Sequence, residues 1–264
     1  MTKWLAVFLL AATVTLPAFA FDAAHIEKLK TSRSCQKCDL SGAKLSKMDL
    51  TAADLRGANL KKANLRKSSL DGADLRGADL TKAKLGKASL VDVNLEKAVL
   101  SDAVFRKANL SGANFTGATL GYLFYKADLS EAKLPGAKLK AADFRGADLN
   151  RADMAGAVLD NANMVLADIN GTDLSGASLN GANMAMVDAS SANLENADLS
   201  RVSLVEASLV GTNLRGAKLR WALLSKADLT LADLTGADLD HADMNGAILC
   251  KTKTSDGEVN TGCK

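Results

Sequence analysis

Residues able to do covalent or metal chemistry are few in this 264-residue chain. The two histidines, His25 and His241, stand near opposite ends, the second beside Asp240 and Asp243. A hydrolytic triad needs a nucleophile, a base and an orienting group within hydrogen-bond reach, and a zinc site needs closely spaced ligands. Two distant histidines supply neither, so capping or surface roles are expected of them. Phosphate-binding loops and zinc-finger cysteines are absent, no cofactor is implied, and the chain reads as non-enzymatic. The remaining chemistry is electrostatic. Lys47, Lys67, Lys87, Lys107 and Lys126, with Arg66 and Arg106, recur at intervals that would serve phosphates or sulfates of a polyanion if one element set them in line.

The element that positions them announces itself as a period of five. Between Cys38 and Cys250 almost every fifth residue is Leu, Phe or Met, and two residues before it sits Ala, as in Ala53-Asp54-Leu55-Arg56-Gly57 and Ala73-Asp74-Leu75-Arg76-Gly77. A helix places apolar residues every 3.6 positions and an ordinary strand every 2, so neither accounts for this spacing. Sustained self-similarity marks a repeat architecture.

The pattern A-(D/N)-L-x-x is similar to that of the pentapeptide-repeat family, and the resemblance runs from Cys38 to Thr252. It implies an all-β chain: a right-handed quadrilateral β-helix solenoid with one pentapeptide per side and twenty residues per coil. The central Leu or Phe and the preceding small residue would point inward. Cys35-Gln36-Lys37-Cys38-Asp39-Leu40-Ser41-Gly42-Ala43 resembles the opening segment of exported members, and Cys250 to Cys263 their closing segment.

A twenty-residue coil makes its own demand, that stacked residues resemble each other. Central positions run in fives from Leu40 to Leu120 and again from Leu129 to Leu249, so one residue is missing between them. If 121–124 is a four-residue side, Phe105, Phe124 and Phe144 stack inside, and Lys47, Lys67, Lys87, Lys107 and Lys126 form one outer column. Arg66 and Arg106 share that side, and Tyr125 stands beside Lys126. The same frame stacks Asp128, Asp148, Asp168 and Asp188 and resumes at Asp228. Calcium would suit clustered carboxylate oxygens, yet these are ordinary repeat aspartates suited to bonding turn amides, and no metal site is assigned. Glycines two after a centre, such as Gly57, suit corners of positive φ. Thr172 and Thr212 replace the flanking Ala, with hydroxyls expected to bond locally. Trp221 and Leu223 read either as an exposed interface or as packing against a corner or the closing loop.

Both open ends of such a rod need covers. Asp22 would N-cap a short helix through about Lys30, laying Ile26 and Leu29 over the first coil. At the other end Asp256-Gly257 reads as a turn. Four cysteines allow three connectivities, but a rod separates Cys35 and Cys38 from Cys250 and Cys263 by more than a disulfide spans. The pairs left are 35 with 38 and 250 with 263. Cys35-x-x-Cys38 also matches a redox spacing, though no βαβ pattern surrounds it, and Asp39 in place of His removes haem attachment.

Met1 to Ala20 carries Lys3, an apolar run from Trp4, and Ala18-Phe19-Ala20 before Phe21, which reads as a secretory signal peptide. A membrane anchor is the competing reading, but the run is short and contains Pro17. The expected division is 1–20 signal peptide, 21–37 N-terminal cap, 38–249 β-helix with a register defect at 121–124, and 250–264 C-terminal cap. That makes the mature chain periplasmic or secreted, with no membrane span. Net charge is only +3, but 21–120 holds 18 Lys and Arg against 11 Asp and Glu, whereas 121–264 holds 14 against 19.

The function expected from these residues is an exported scaffold whose rod faces bind an unknown protein or anionic polymer. A polyanion-binding module built on the lysine column is the alternative. Some pentapeptide-repeat proteins mimic duplex DNA and protect topoisomerases; a leader and a basic N-terminal half fit that option poorly.

Overall fold

The structure is a computed structural model that describes residues 23–121 and 123–263. The expected signal peptide and the Asp22 cap lie outside the described residues.

Every five residues the chain turns a corner. Leu40, Ser41, Gly42 and Ala43 show the unit: the Ala43 amide donates to the Leu40 carbonyl at 3.1 Å, and Gly42 has φ of 69°. A β-turn with positive φ only at its second central residue is type II. Between corners there is room for one bridging residue. Asp39 pairs in parallel with Asn59, and Asn59 with Asp79, twenty residues apart each time. Four sides therefore make one coil, and successive coils stack as a parallel β-helix whose sides are too short to count as strands. The left-handed corner position is not reserved for glycine. It holds Lys47, Ala52, Asp92, Leu166 and Trp221 with φ between 53° and 61°, because the turn geometry recurs whatever residue the sequence supplies.

The inward residues fill the coil. Leu40, Leu60, Leu80 and Leu100 are fully buried, as are the flanking Ala43, Ala63 and Ala83. Four large side chains from four sides leave the flanks room for little more than a methyl group, which is why Ala recurs there. Phe105, Phe124 and Phe144 form a continuous stack with centroids 5.3 and 5.0 Å apart, and Phe115 meets the first two edge-on. Thr172 and Thr212 sit buried at the flank. Their hydroxyls do not bond locally; they donate to the carbonyls of Leu149 and Ala189 in the preceding coil, at 2.7 and 2.8 Å. Each of these carbonyls already accepts its own corner amide and takes the hydroxyl as a second donor, whereas Ser68, at the same flank position, bonds locally to the Leu65 carbonyl at 2.6 Å.

Bridge spacing falls to nineteen at Val104 with Leu123, Asn109 with Asp128 and Asn114 with Lys133, then returns to twenty at Leu123 with Asp143. Gly121 stands where the residue is missing. A Cβ there would lie 2.8 Å from the carbonyl oxygens of both Leu100 and Ala103, so no larger residue fits.

At the N-terminal end helix α1, Ala23–Ser32, lays buried Leu29 and half-buried Ile26 on the first coil. The Asp39 amide donates to His25 Nδ1 at 3.1 Å, fixing helix to coil. Cys35 and Cys38 are disulfide-bonded with Cα atoms 5.3 Å apart, and Cys250 and Cys263 with Cα atoms 4.9 Å apart. The C-terminal hairpin joins β1, Leu249–Thr254, to β2, Gly257–Thr261. Its two-residue loop is Ser255-Asp256, one position earlier than the Asp256-Gly257 turn read from sequence, and Gly257 already pairs with Thr254. The hairpin does not close the rod fully. Leu239, Met244 and Leu249 of the last coil are only partly buried, because one narrow two-stranded ribbon cannot cover all four sides.

Candidate functional site

One corner of the coil carries the cations singled out above. The Lys47 amide donates to the Arg66 carbonyl, Lys67 to Gly86, Lys87 to Arg106, Lys107 to Tyr125 and Lys126 to Arg145, at 3.0 to 3.2 Å. This ladder locks successive corners over one another, so Lys47, Lys67, Lys87, Lys107 and Lys126 stand in one line at roughly 4.8 Å per coil. Their left-handed backbone, φ 53° to 61°, is shared by the whole column.

The residue before each lysine forms a second line of Ser46, Arg66, Gly86, Arg106 and Tyr125, which Arg145, before Gly146, continues. Gly86 breaks the row. Arg66, Lys67, Lys87, Arg106 and Lys107 surround it and line a shallow notch of about 390 Å³. Farther along, Tyr125 holds guanidinium groups against its ring, with Arg106 Cζ 4.8 Å and Arg145 Cζ 5.4 Å from the centroid, and Lys126 Nζ at 5.5 Å. Such stacking fixes the planar groups at little entropic cost.

Several cations elsewhere in the same coils are paired, Arg33 with Asp49, Arg56 with Asp54, Lys61 with Asp79 and Arg76 with Asp74, at 2.6 to 3.1 Å. Hydrogen bonding to the Arg56 side chain holds the Asp54 carboxyl well below its usual range, and a hydrogen bond from Arg76 lowers that of Asp74. On the corner itself, among the described residues, Lys47, Lys67, Lys87, Lys107, Lys126, Arg66 and Arg106 make no ion pair with a carboxylate. The pattern ends at Arg145, whose Nε lies 2.8 Å from Asp143. That carboxyl is lowered chiefly by the Arg145 side-chain hydrogen bond.

The other sequence candidates resolve differently. Asp128, Asp148, Asp168 and Asp188 do stack, but each spends Oδ1 on the backbone amide two residues ahead, at 3.0 to 3.1 Å. No group of three or more metal-ligating side chains is present among the described residues. Trp221 is half-exposed and stacks on His241 of the next coil, centroids 4.0 Å apart, while His241 Nε2 approaches Asp240 at 3.6 Å. Trp221 thus packs along its corner, not on the closing loop. Sequence reasoning passed over Gly86 and Arg145, whose importance lies in what stands beside them in adjacent coils. Leu166 and Met186 were also missed, although stepping the lysine column onward by twenties reaches both.

A family model described as Pentapeptide repeats matches residues 34–70, 58–96, 83–121, 124–161, 147–185, 182–220 and 212–249. Among solved structures, the chain is similar to HetL, a pentapeptide repeat protein involved in heterocyst differentiation regulation from the cyanobacterium Nostoc sp. strain PCC 7120. Identity is 30%, covering 91% of this chain and 100% of HetL, with a TM-score of 0.52. A thylakoid-lumen pentapeptide repeat protein from Arabidopsis thaliana matches at 25% identity over 45% of this chain and 72% of its own, TM-score 0.19. QnrB1, a plasmid-mediated fluoroquinolone resistance protein, matches at 16% identity over 81% and 86%, TM-score 0.29. No curated protein matches in sequence.

Proposed function

Because the chain belongs to the pentapeptide-repeat family, we propose that it is a non-enzymatic scaffold whose right-handed coil holds one corner ready for an anionic macromolecule. The observation that carries this reading is an unbroken line of stacked cations with, among the described residues, no carboxylate partner. Arg33, Arg56, Lys61 and Arg76 are neutralised by carboxylates of the chain itself, whereas Lys47 to Lys126 are not; Lys44, Lys82 and Lys84 also lack such a partner among the described residues but do not stack coil over coil into a line. Stacked cations about 4.8 Å apart repel by only about 1 kcal/mol per pair in water, so the fold tolerates the line without requiring it. A regular row of positive charge attracts phosphates or sulfates at similar spacing and releases their counterions on contact.

Placement outside the cytoplasm is part of the proposal. The two disulfides are compatible with an oxidising compartment, and the leader-like sequence of residues 1–20 supports export to the periplasm or beyond. Among the described residues no helix is long and apolar enough to cross a membrane.

Titration with fluorescent heparin tests the reading. Parent protein should bind with an affinity that falls steeply with salt, and Lys67→Glu/Lys87→Glu/Lys107→Glu should weaken it by about 100-fold or more at low ionic strength. Equal binding by parent and variant overturns it.

A further inference from the structure

The cationic corner does not end at Lys126. The same ladder continues, Gly146 amide to Val165 carbonyl, Leu166 to Ala185, Met186 to Val205 and Glu206 to Ser225, at 2.9 to 3.2 Å. Two coils beyond Lys126, roughly 10 Å along the edge, the column becomes apolar. Leu166 is 63% exposed and Met186 50% exposed. The next two members, Glu206 and Lys226, pair with each other at 3.1 Å and close the line.

Nothing in the fold calls for Leu166 and Met186. Both sit at the left-handed corner position, φ 58° and 55°, where an L side chain is disfavoured and glycine is at ease. Glycine occupies the equivalent place at Gly146 and Gly246 in this very column. Trp221 and Leu231 are exposed in the same conformation at other corners, but Leu166 and Met186 stand in line with the unpaired cations. A row of lysines leading straight into a small apolar patch suits a partner that offers anionic groups and hydrocarbon on one flat surface.

We propose that this edge of the β-helix lies on an anionic lipid bilayer, with Lys47 to Lys126 on headgroup phosphates and Leu166 and Met186 in the acyl boundary. Interfacial binding of this kind adds electrostatic attraction to buried apolar area and needs no spanning segment. A soluble polyanion would give the apolar pair no purpose. The proposal rests on the anion-binding reading of the same corner.

The test uses the mature protein and large unilamellar vesicles of phosphatidylcholine, alone or with an equal part of phosphatidylglycerol, in a sedimentation assay beside the heparin titration. Parent should bind the mixed vesicles and not the neutral ones. Leu166→Gly/Met186→Gly should lose about tenfold or more in vesicle affinity while keeping heparin affinity and an unchanged or higher Tm. The Tm separates docking from a structural role, which predicts a lower one. If parent binds heparin but not the mixed vesicles, or if the double variant binds vesicles as well as parent, the bilayer proposal is overturned and the anion-binding corner stands. If parent binds neither, both fall.

Discussion

A lysine, a leucine and a tryptophan share one backbone conformation here, and the reason lies in the turn. The type II corner requires positive φ at its second central residue, at a cost of about 1 to 2 kcal/mol for a side chain with Cβ. Lys47 and Lys67 accept that cost at φ of 61° and 58° because the ladder bond across the corner and the buried Leu on either side over-determine the path. Gly121 is a different case, since its constraint is steric. Its missing Cβ makes space for the Leu100 and Ala103 carbonyls where the coil is one residue short. Gly121→Ala is therefore expected to destabilise by about 1 to 3 kcal/mol in urea unfolding, more than alanine at Gly86, where a Cβ would meet only Arg106 oxygen at 3.5 Å. A smaller loss at Gly121 than at Gly86 would show that the shortened coil relaxes freely.

At the scale of elements, the two ends are closed unequally. Helix α1 buries Leu29 completely and is tied to the first coil through His25, whereas the β1–β2 hairpin leaves Leu239 and Met244 partly open. The Cys250–Cys263 bridge holds that ribbon in place by closing a loop of sequence separation 13. Removing it as Cys250→Ser/Cys263→Ser should cost about 3 kcal/mol, the chain-entropy value for a loop of this size. Amide exchange should show the loss as faster opening of the last coil, with the Phe105–Phe144 region unchanged. Uniform loss of protection along the rod would instead mean that the coils unfold as one unit. Thr252 contributes to the same closure by donating to the Leu229 carbonyl at 2.7 Å, as Thr172 and Thr212 do inside the rod.

Over the whole molecule, charge has two functions. On the faces around Asp54, Asp74 and Asp143, carboxylates held low by arginine bonds knit adjacent residues and coils together. Groups whose folded pKa is depressed stabilise above their unfolded pKa, near 3.9, and lose that contribution as pH falls through the folded value. Stability should therefore hold from neutral pH to about 4 and decline below it, and Asp54→Asn/Asp74→Asn should flatten that decline in a Tm-against-pH series. An identical acid limb in the variant would remove these pairs from the account. The Lys47–Lys126 line, having no such partners, contributes nothing to this limb and remains available for binding.

How far the sequence alone reached follows from what each feature depends on. The inward pattern of Ala and Leu is local chemistry repeated every five residues, so the stacked core and the Phe105, Phe124 and Phe144 column could be read from spacing. Lysine and aspartate columns were legible once twenty residues were counted as a coil. Whether a charge in a column is free or engaged was not, since that depends on side chains one coil away: Asp74 beside Arg56 and Arg76, Asp143 beside Arg145, Gly86 beside Arg66 and Arg106. The inter-coil Thr172 bond and the incomplete C-terminal cover escaped for the same reason. Five-residue periodicity determined what faces inward, because a narrow coil admits only one packing; the tertiary structure decided which outward charges cancel and which face a partner, because those neighbours are nineteen or twenty residues apart in the chain and meet only when the coils stack.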